Sequence, residues 1–146
     1  MEKCSSRDYQ IQLRNLGGIP VIEIMGEINR TSLEIIEAMI AALEKAGHYN
    51  IVVNIKRALA ANFNILSFLS NSVSQIRGHY GNIDLVAETT QIKQMANDGL
   101  AHLFRMCISE SQAIGRIKRL LRPPDDVALG TPARIMEPEW PNESQN

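Results

Sequence analysis

Residues 56–70, KRALAANFNILSFLS, join a strand-like apolar run to an amphipathic segment, the place where α/β proteins commonly keep functional groups. Within that junction, residues 57–64 contain no Ser, Thr, Cys, His, Asp or Glu. It therefore offers no nucleophile, general base or hard-metal ligand, and a catalytic reading finds no constellation to build on. Hydroxyls return with Ser67, Ser70, Ser72 and Ser74 downstream and with Thr31 and Ser32 on an earlier segment. Helical hydroxyls are ordinarily solvated or bonded to a preceding carbonyl, with a displaced phosphate acceptor as the alternative.

The remaining reactive types are scattered. His48, His79 and His102 lie near loops or segment ends, and no two have the spacing of a metal pair such as HExxH. Cys4 and Cys107 are far apart with no second pair, which reads as two free thiols rather than a disulfide framework or zinc site. Gly17 and Gly18 have neither the strand-to-helix position nor the spacing of a phosphate-binding loop. Arg116, Lys118, Arg119 and Arg122 give the last predicted helix a basic side. That side is read as the wet face of an amphipathic helix near its negative end, with an acidic partner, a phosphate or a membrane surface as the alternative.

The bulk properties narrow the classes further. A chain of 146 residues is long enough to bury about two-thirds of its unfolded surface in one core. Its net charge of −1 gives no global attraction to nucleic acid or anionic lipid, so any such role would need a local patch. The first residues, MEKCSSRDYQ, lack the apolar stretch of a secretory signal. The longest apolar runs fall far short of the roughly 20 residues of a membrane span. A soluble, cytoplasmic protein is the expectation.

The elements that must position these residues follow from periodicity. Tyr9, Ile11 and Leu13 alternate with polar residues, as in a half-buried strand, and Gly17, Gly18 and Pro20 turn the chain into a second strand over residues 19–25. Thr31 followed by Glu34 has the pattern of a capping box. Leu33, Ile36, Met39, Ile40 and Leu43 then form one apolar stripe up to Gly47. Ile51, Val52 and Val53 read as a strand covered on both faces. Ile65, Leu69, Val73 and Ile76 continue at helical spacing, and Ile83, Leu85 and Ala87 make another strand. Thr89 or Thr90 caps a short helix predicted to bury Ile92, Met95 and Ala96. A last strand over residues 103–108 and a helix entered through Ser109 and Gln112 complete the pattern. The chain is thus read as an α/β domain with a small mixed sheet of about four to five strands and four helices. The domain spans residues 1–122, followed by a tail over residues 123–146. That tail holds five of the six prolines and few large aliphatics, so it is expected to be mostly disordered, with Met136 and Trp140 as its possible docking groups.

In this order the chain resembles the STAS domain, the module named for sulfate transporters and anti-sigma factor antagonists. The carriers are VIEIMGEIN at 21–29, similar to the family's strand ending in Gly-Glu-Leu-Asp, IVVNI at 51–55, similar to its central strand, and NIDLVAETTQIKQMANDGLAHLFRMCISESQAI at 82–114. The departure lies at the family's phosphorylation loop, commonly Asp-Ser-Ser-Gly or Asp-Ser-Thr-Gly, whose four positions fall on Asn62, Phe63, Asn64 and Ile65. Phe63 stands where the family's acceptor Ser is expected, so phosphate transfer to that position has no oxygen to receive it. Phe63 reads either as an interface anchor or as a ring folded inward. Asn62 and Asn64 are expected to cap the turn at Ile65, with hydrogen bonds to a partner as the alternative.

The resemblance implies a non-enzymatic module that docks a kinase-like anti-sigma factor or related regulator, in a bacterial partner-switching pathway controlling transcription. Asn29, Thr31, Asn62, Phe63, Asn64, Ile65 and Ser67 would form the partner face. Without an acceptor the chain would be held in one binding state. The alternative is a structural STAS-like subunit of a larger assembly, such as a transporter ATPase or a stress-sensing complex. No cofactor, metal or nucleic acid is expected; a homodimer is allowed. A receiver domain would need clustered acids at the strand ends, where Asn54 and Asn62 stand instead.

Overall fold

A computed structural model describes residues 9–59, 65–96 and 99–121. Among them are six strands, β1 (Tyr9–Leu16), β2 (Ile19–Glu27), β3 (Asn50–Asn54), β4 (Ala58–Leu59), β5 (Asn82–Val86) and β6 (Arg105–Cys107). Five α-helices accompany them: α1 (Arg30–Lys45), α2 (Ile65–Phe68), α3 (Ser70–Arg77), α4 (Thr89–Met95) and α5 (Glu110–Leu121). A short 3-10 turn covers Ala101–Leu103. The sheet order is β1-β2-β3-β5-β6, with β4 beside β2. Only the β1–β2 hairpin is antiparallel. This is the α/β architecture with a mixed sheet that the alternation of patterns predicts. It carries one more strand because residues 58–59 pair, and one more helix because the segment after Ile65 breaks at Leu69 into two.

The two-residue period of the strands sorts the core into two layers. Ile22, Ile24, Ile51, Val53, Ile83 and Leu85 point to one face. There they meet Leu33, Ile36, Ile40 and Leu43 of α1 and Leu66, Leu69, Val73 and Ile76 of α2 and α3. Each such side chain contributes about 1.5–3 kcal/mol on full burial, so this face is the main source of stability. Val21, Val52, Val86 and Cys107 point the other way, onto Ala113 and Ile117 of α5. A strand flanked on both faces has no polar side, which is why residues 51–53 are an unbroken apolar run, all fully buried.

Local chemistry sets several boundaries differently from the pattern. Helix α1 is capped by Asn29 rather than Thr31. Asn29 Oδ1 accepts from Ser32 N at 2.8 Å, and Ser32 Oγ accepts from Asn29 N at 2.9 Å. Ser32 is short enough to be wholly buried while closing this box, and Thr31 is left exposed. Helix α4 begins after Glu88, whose N–H donates to Gln91 Oε1 at 2.6 Å, and it leaves Ile92 and Met95 half-buried and Ala96 exposed. The last strand is limited to Arg105–Cys107 because residues 101–103 wind into the 3-10 turn. At α5 the predicted Ser109–Gln112 pair is present, with Gln112 N donating to Ser109 Oγ at 3.0 Å. The returning bond comes from Ile108 N to Gln112 Oε1 at 2.9 Å.

Candidate functional site

The parallel strands β2, β3, β5 and β6 all end at one edge, and the connection that follows β3 starts there. Its geometry is set by an irregularity in register. Glu23 lies opposite Asn54 and Gly26 opposite Ala58, so three steps along β2 (23 to 26) face four along its neighbour (54 to 58). One extra residue is accommodated by a tight turn closed by Ala58 N donating to Ile55 O at 3.0 Å. Such a bulge re-aims side chains. Asn54 faces the α5 side with Glu23, whereas Ala58 joins the main core on the other face.

A network of charges fixes this edge. Arg14 of β1 donates through Nη1 to Glu110 Oε1 at 3.0 Å and through Nη2 to Glu110 Oε2 at 2.6 Å and Glu23 Oε1 at 2.7 Å. Asn54 Nδ2 donates to the same Glu110 Oε2 at 2.6 Å, while Asn54 Oδ1 accepts from Lys56 N at 2.9 Å. Both ends of one amide are thus used, one holding the start of α5 and the other the first turn of the β3–α2 connection. Hydrogen bonds from Arg14 hold the Glu110 carboxyl below the usual carboxylate range, with Asn54 assisting, and Glu110 in turn raises Arg14. The network borders an open crevice of about 460 Å³, lined also by Lys56, Arg57 and Glu88.

A second polar cluster lies beneath α5. Asp84, fully buried on β5, accepts from Arg105 Nε at 3.0 Å and has Arg116 Nε at 3.7 Å. Arg116 Nη2 also reaches Cys107 Sγ at 2.7 Å. Burial pushes the Asp84 carboxyl up, against the pull of both arginines, and pushes the Cys107 thiol up as well. Arg116 therefore belongs to an interior ion cluster and not to the wet face predicted for it. Lys118 and Arg119 are exposed as expected, and Arg122 lies outside the described residues.

Of the residues proposed for a partner face, Asn29 caps α1 and is half-buried, Thr31 is exposed two residues further on, and Ser67 is exposed on α2 with its carbonyl accepting from Ser70 Oγ at 2.9 Å. Ile65 is only 4% exposed and packs in the main core. Asn62, Phe63 and Asn64 lie outside the described residues, as do Cys4, Met136 and Trp140. The sequence reading did not find Arg14, Glu110 or the role of Asn54. The alternation of β1 places Arg14 opposite the core-facing Leu13 and so marks a face, but its partner is on the last helix, and no spacing rule reaches that far. His48 is buried and His102 Nδ1 lies 2.8 Å from Gly99 O. His79 stacks on Tyr49 with ring centres 4.1 Å apart. Among the described residues no group of three or more His, Cys, Asp or Glu is placed to hold a metal ion, and no helix is long and apolar enough to cross a membrane.

No protein-family model and no curated protein matches the chain. Solved structures do. An anti-sigma factor antagonist from Mycobacterium paratuberculosis superposes with a TM-score of 0.66 at 17% identity, covering 78% of this chain and 98% of that one. The anti-sigma factor antagonist SpoIIAA in its unphosphorylated form gives 0.63 at 20% identity, covering 77% and 100%. The Bacillus cell fate determinant SpoIIAA in its phosphorylated form gives 0.56 at 21% identity, covering 74% and 99%. The fold is that of the anti-sigma factor antagonists, the STAS fold. The portion of this chain that superposes accounts for nearly the whole length of those proteins.

Proposed function

We propose that the chain is a non-enzymatic, STAS-type regulatory module that docks a protein partner through the edge formed by the α1 cap, the β3–α2 connection and α2. The observation that carries this reading is the near-complete overlap with anti-sigma factor antagonists combined with a connection, residues 57–64, devoid of nucleophiles and titratable acids. Asn29 and Thr31 at the start of α1 and Ser67 on α2 are the described members of the proposed face, Asn62, Phe63 and Asn64 are assigned to it from the sequence, and Ile65 packs in the core. The partner is a serine-kinase-type anti-sigma factor or a related regulator. Phe63 in place of an acceptor Ser removes the family's route for driving the partner off with ATP, because that position has no oxygen to take a phosphate.

The test is to mix the purified chain with a cognate ATP-binding anti-sigma kinase and follow complex formation by size-exclusion chromatography, then add ATP and measure intact mass. A complex that persists with unchanged mass is expected. Failure to form one, or release of the partner with one phosphate gained per chain, overturns the reading. Recovery from cells with a membrane transporter ATPase instead of a soluble kinase would assign the fold a scaffolding role.

A further inference from the structure

We propose that the crevice at the end of β3 is a carboxylate-binding subsite, in which Lys56 and Arg57 receive an Asp or Glu side chain of the docked partner. This rests on the docking reading and names the chemistry that reading leaves open.

Three observations carry it. In a regular strand, consecutive side chains point to opposite faces, yet the one-residue bulge after Asn54 lets Lys56 and Arg57 line the same crevice. Their donors are under-used. Lys56 Nζ donates to Ile108 O at 2.9 Å, leaving two of an ammonium's three hydrogens, and the Arg57 guanidinium, with five, has Met25 Sδ at 3.2 Å as its partner, a weak acceptor. Among the described residues neither cation has a carboxylate at ion-pair distance.

The acids of the crevice do not fill that role. Glu23 and Glu110 are held by Arg14, and both oxygens of Glu110 already accept hydrogen bonds. Glu88 is exposed on the lining. The three basic residues, Arg14, Lys56 and Arg57, balance the three acidic ones, Glu23, Glu88 and Glu110, so the lining is neutral overall. A multiply charged phosphate would be repelled by Glu88 without a net positive field to offset it, whereas a single carboxylate matches two cationic donors at lower electrostatic cost.

The test is an NMR titration of the full-length chain at pH 7 and constant ionic strength, using N-acetyl-aspartate methylamide and, separately, inorganic phosphate. Saturable shifts of the Lys56 and Arg57 amides with the carboxylate probe are expected. Its affinity should fall about tenfold in Lys56→Gln/Arg57→Gln, equal to about 1.4 kcal/mol, rise two- to threefold in Glu88→Gln, and stay unchanged in Arg77→Gln. Shifts that do not saturate, that persist in the double variant, or that favour phosphate overturn the proposal. A protein complex that forms equally well with wild type and with Lys56→Gln/Arg57→Gln also sinks it and leaves docking intact. Saturable probe binding without any protein complex sinks the docking reading and leaves the subsite standing.

Discussion

Arg14 and Glu110, 96 residues apart in the chain, meet through two parallel hydrogen bonds of 3.0 and 2.6 Å. That fork ties the hairpin at one edge of the sheet to the first turn of the last helix. Through Asn54 it also holds the start of the β3–α2 connection. The edge on which docking is proposed is thus fixed by three elements that are distant in sequence.

The fork makes part of the stability acid-sensitive. The folded Glu110 carboxyl has a lowered pKa, so its contribution is complete above the unfolded value, about 4.3, and is lost as pH falls through the folded value. Glu110→Gln should cost about 1 kcal/mol at pH 7, since both partners are partly solvated, and the difference from wild type should shrink toward pH 3. Urea unfolding across that range checks it; a constant difference would contradict the assignment.

Asp84 has the opposite sign. Its raised pKa means that the folded chain takes up a proton more readily than the unfolded one. Its contribution is fullest below the unfolded value, about 3.9, and declines as pH rises through the folded value. Wild type should therefore lose ground to Asp84→Asn as pH rises from 3.5 to 7. Arg105→Leu, which strips the closer cation from a fully buried carboxylate, should cost about 3 kcal/mol at pH 7 by the same unfolding assay.

Rebuilding a phosphate acceptor in the connection requires care with Ile65. A family-like Gly there would remove a core side chain and add backbone freedom, at about 4 kcal/mol, so Ile65→Gly should lower the thermal midpoint sharply. Asn62→Asp/Phe63→Ser, which leaves Ile65 in place, is the variant to incubate with kinase and ATP. A mass gain of one phosphate is expected if the docking surface is that of the family. An unchanged mass would show that the geometry of the acceptor site or its kinase partner has been lost as well.

Gly81 is required by a close approach. A Cβ at this position would lie 1.6 Å from the carbonyl oxygen of Tyr49, which is backbone and cannot step aside. Gly81→Ala should destabilise by about 2–3 kcal/mol in thermal unfolding. The loss should be accompanied by disruption of the neighbouring Asn82 N to Tyr49 O hydrogen bond of 2.9 Å, visible as faster amide exchange at Asn82.

What the amino-acid order determined alone is local. The 3.6-residue stripe from Leu33 to Leu43, the unbroken run at Ile51–Val53 and the Ser109–Gln112 pair each specify an element because their partners lie within a turn or a strand's width. The alternation of those elements was enough for the α/β class and for the resemblance to the STAS order. Choices between near-equivalent neighbours escaped it. Thr31 and Asn29 both suit a cap, and burial of Ser32 against the core decided for Asn29. Arg116 has the composition of a wet face, and only the position of Asp84 beneath α5 drew it inward. The crevice was invisible for the same reason. Its residues come from both strands of the hairpin, the end of β3 and the starts of two helices, and a one-residue change of register at Lys56 and Arg57 is set by pairing with β2, which hydrophobic periodicity does not encode.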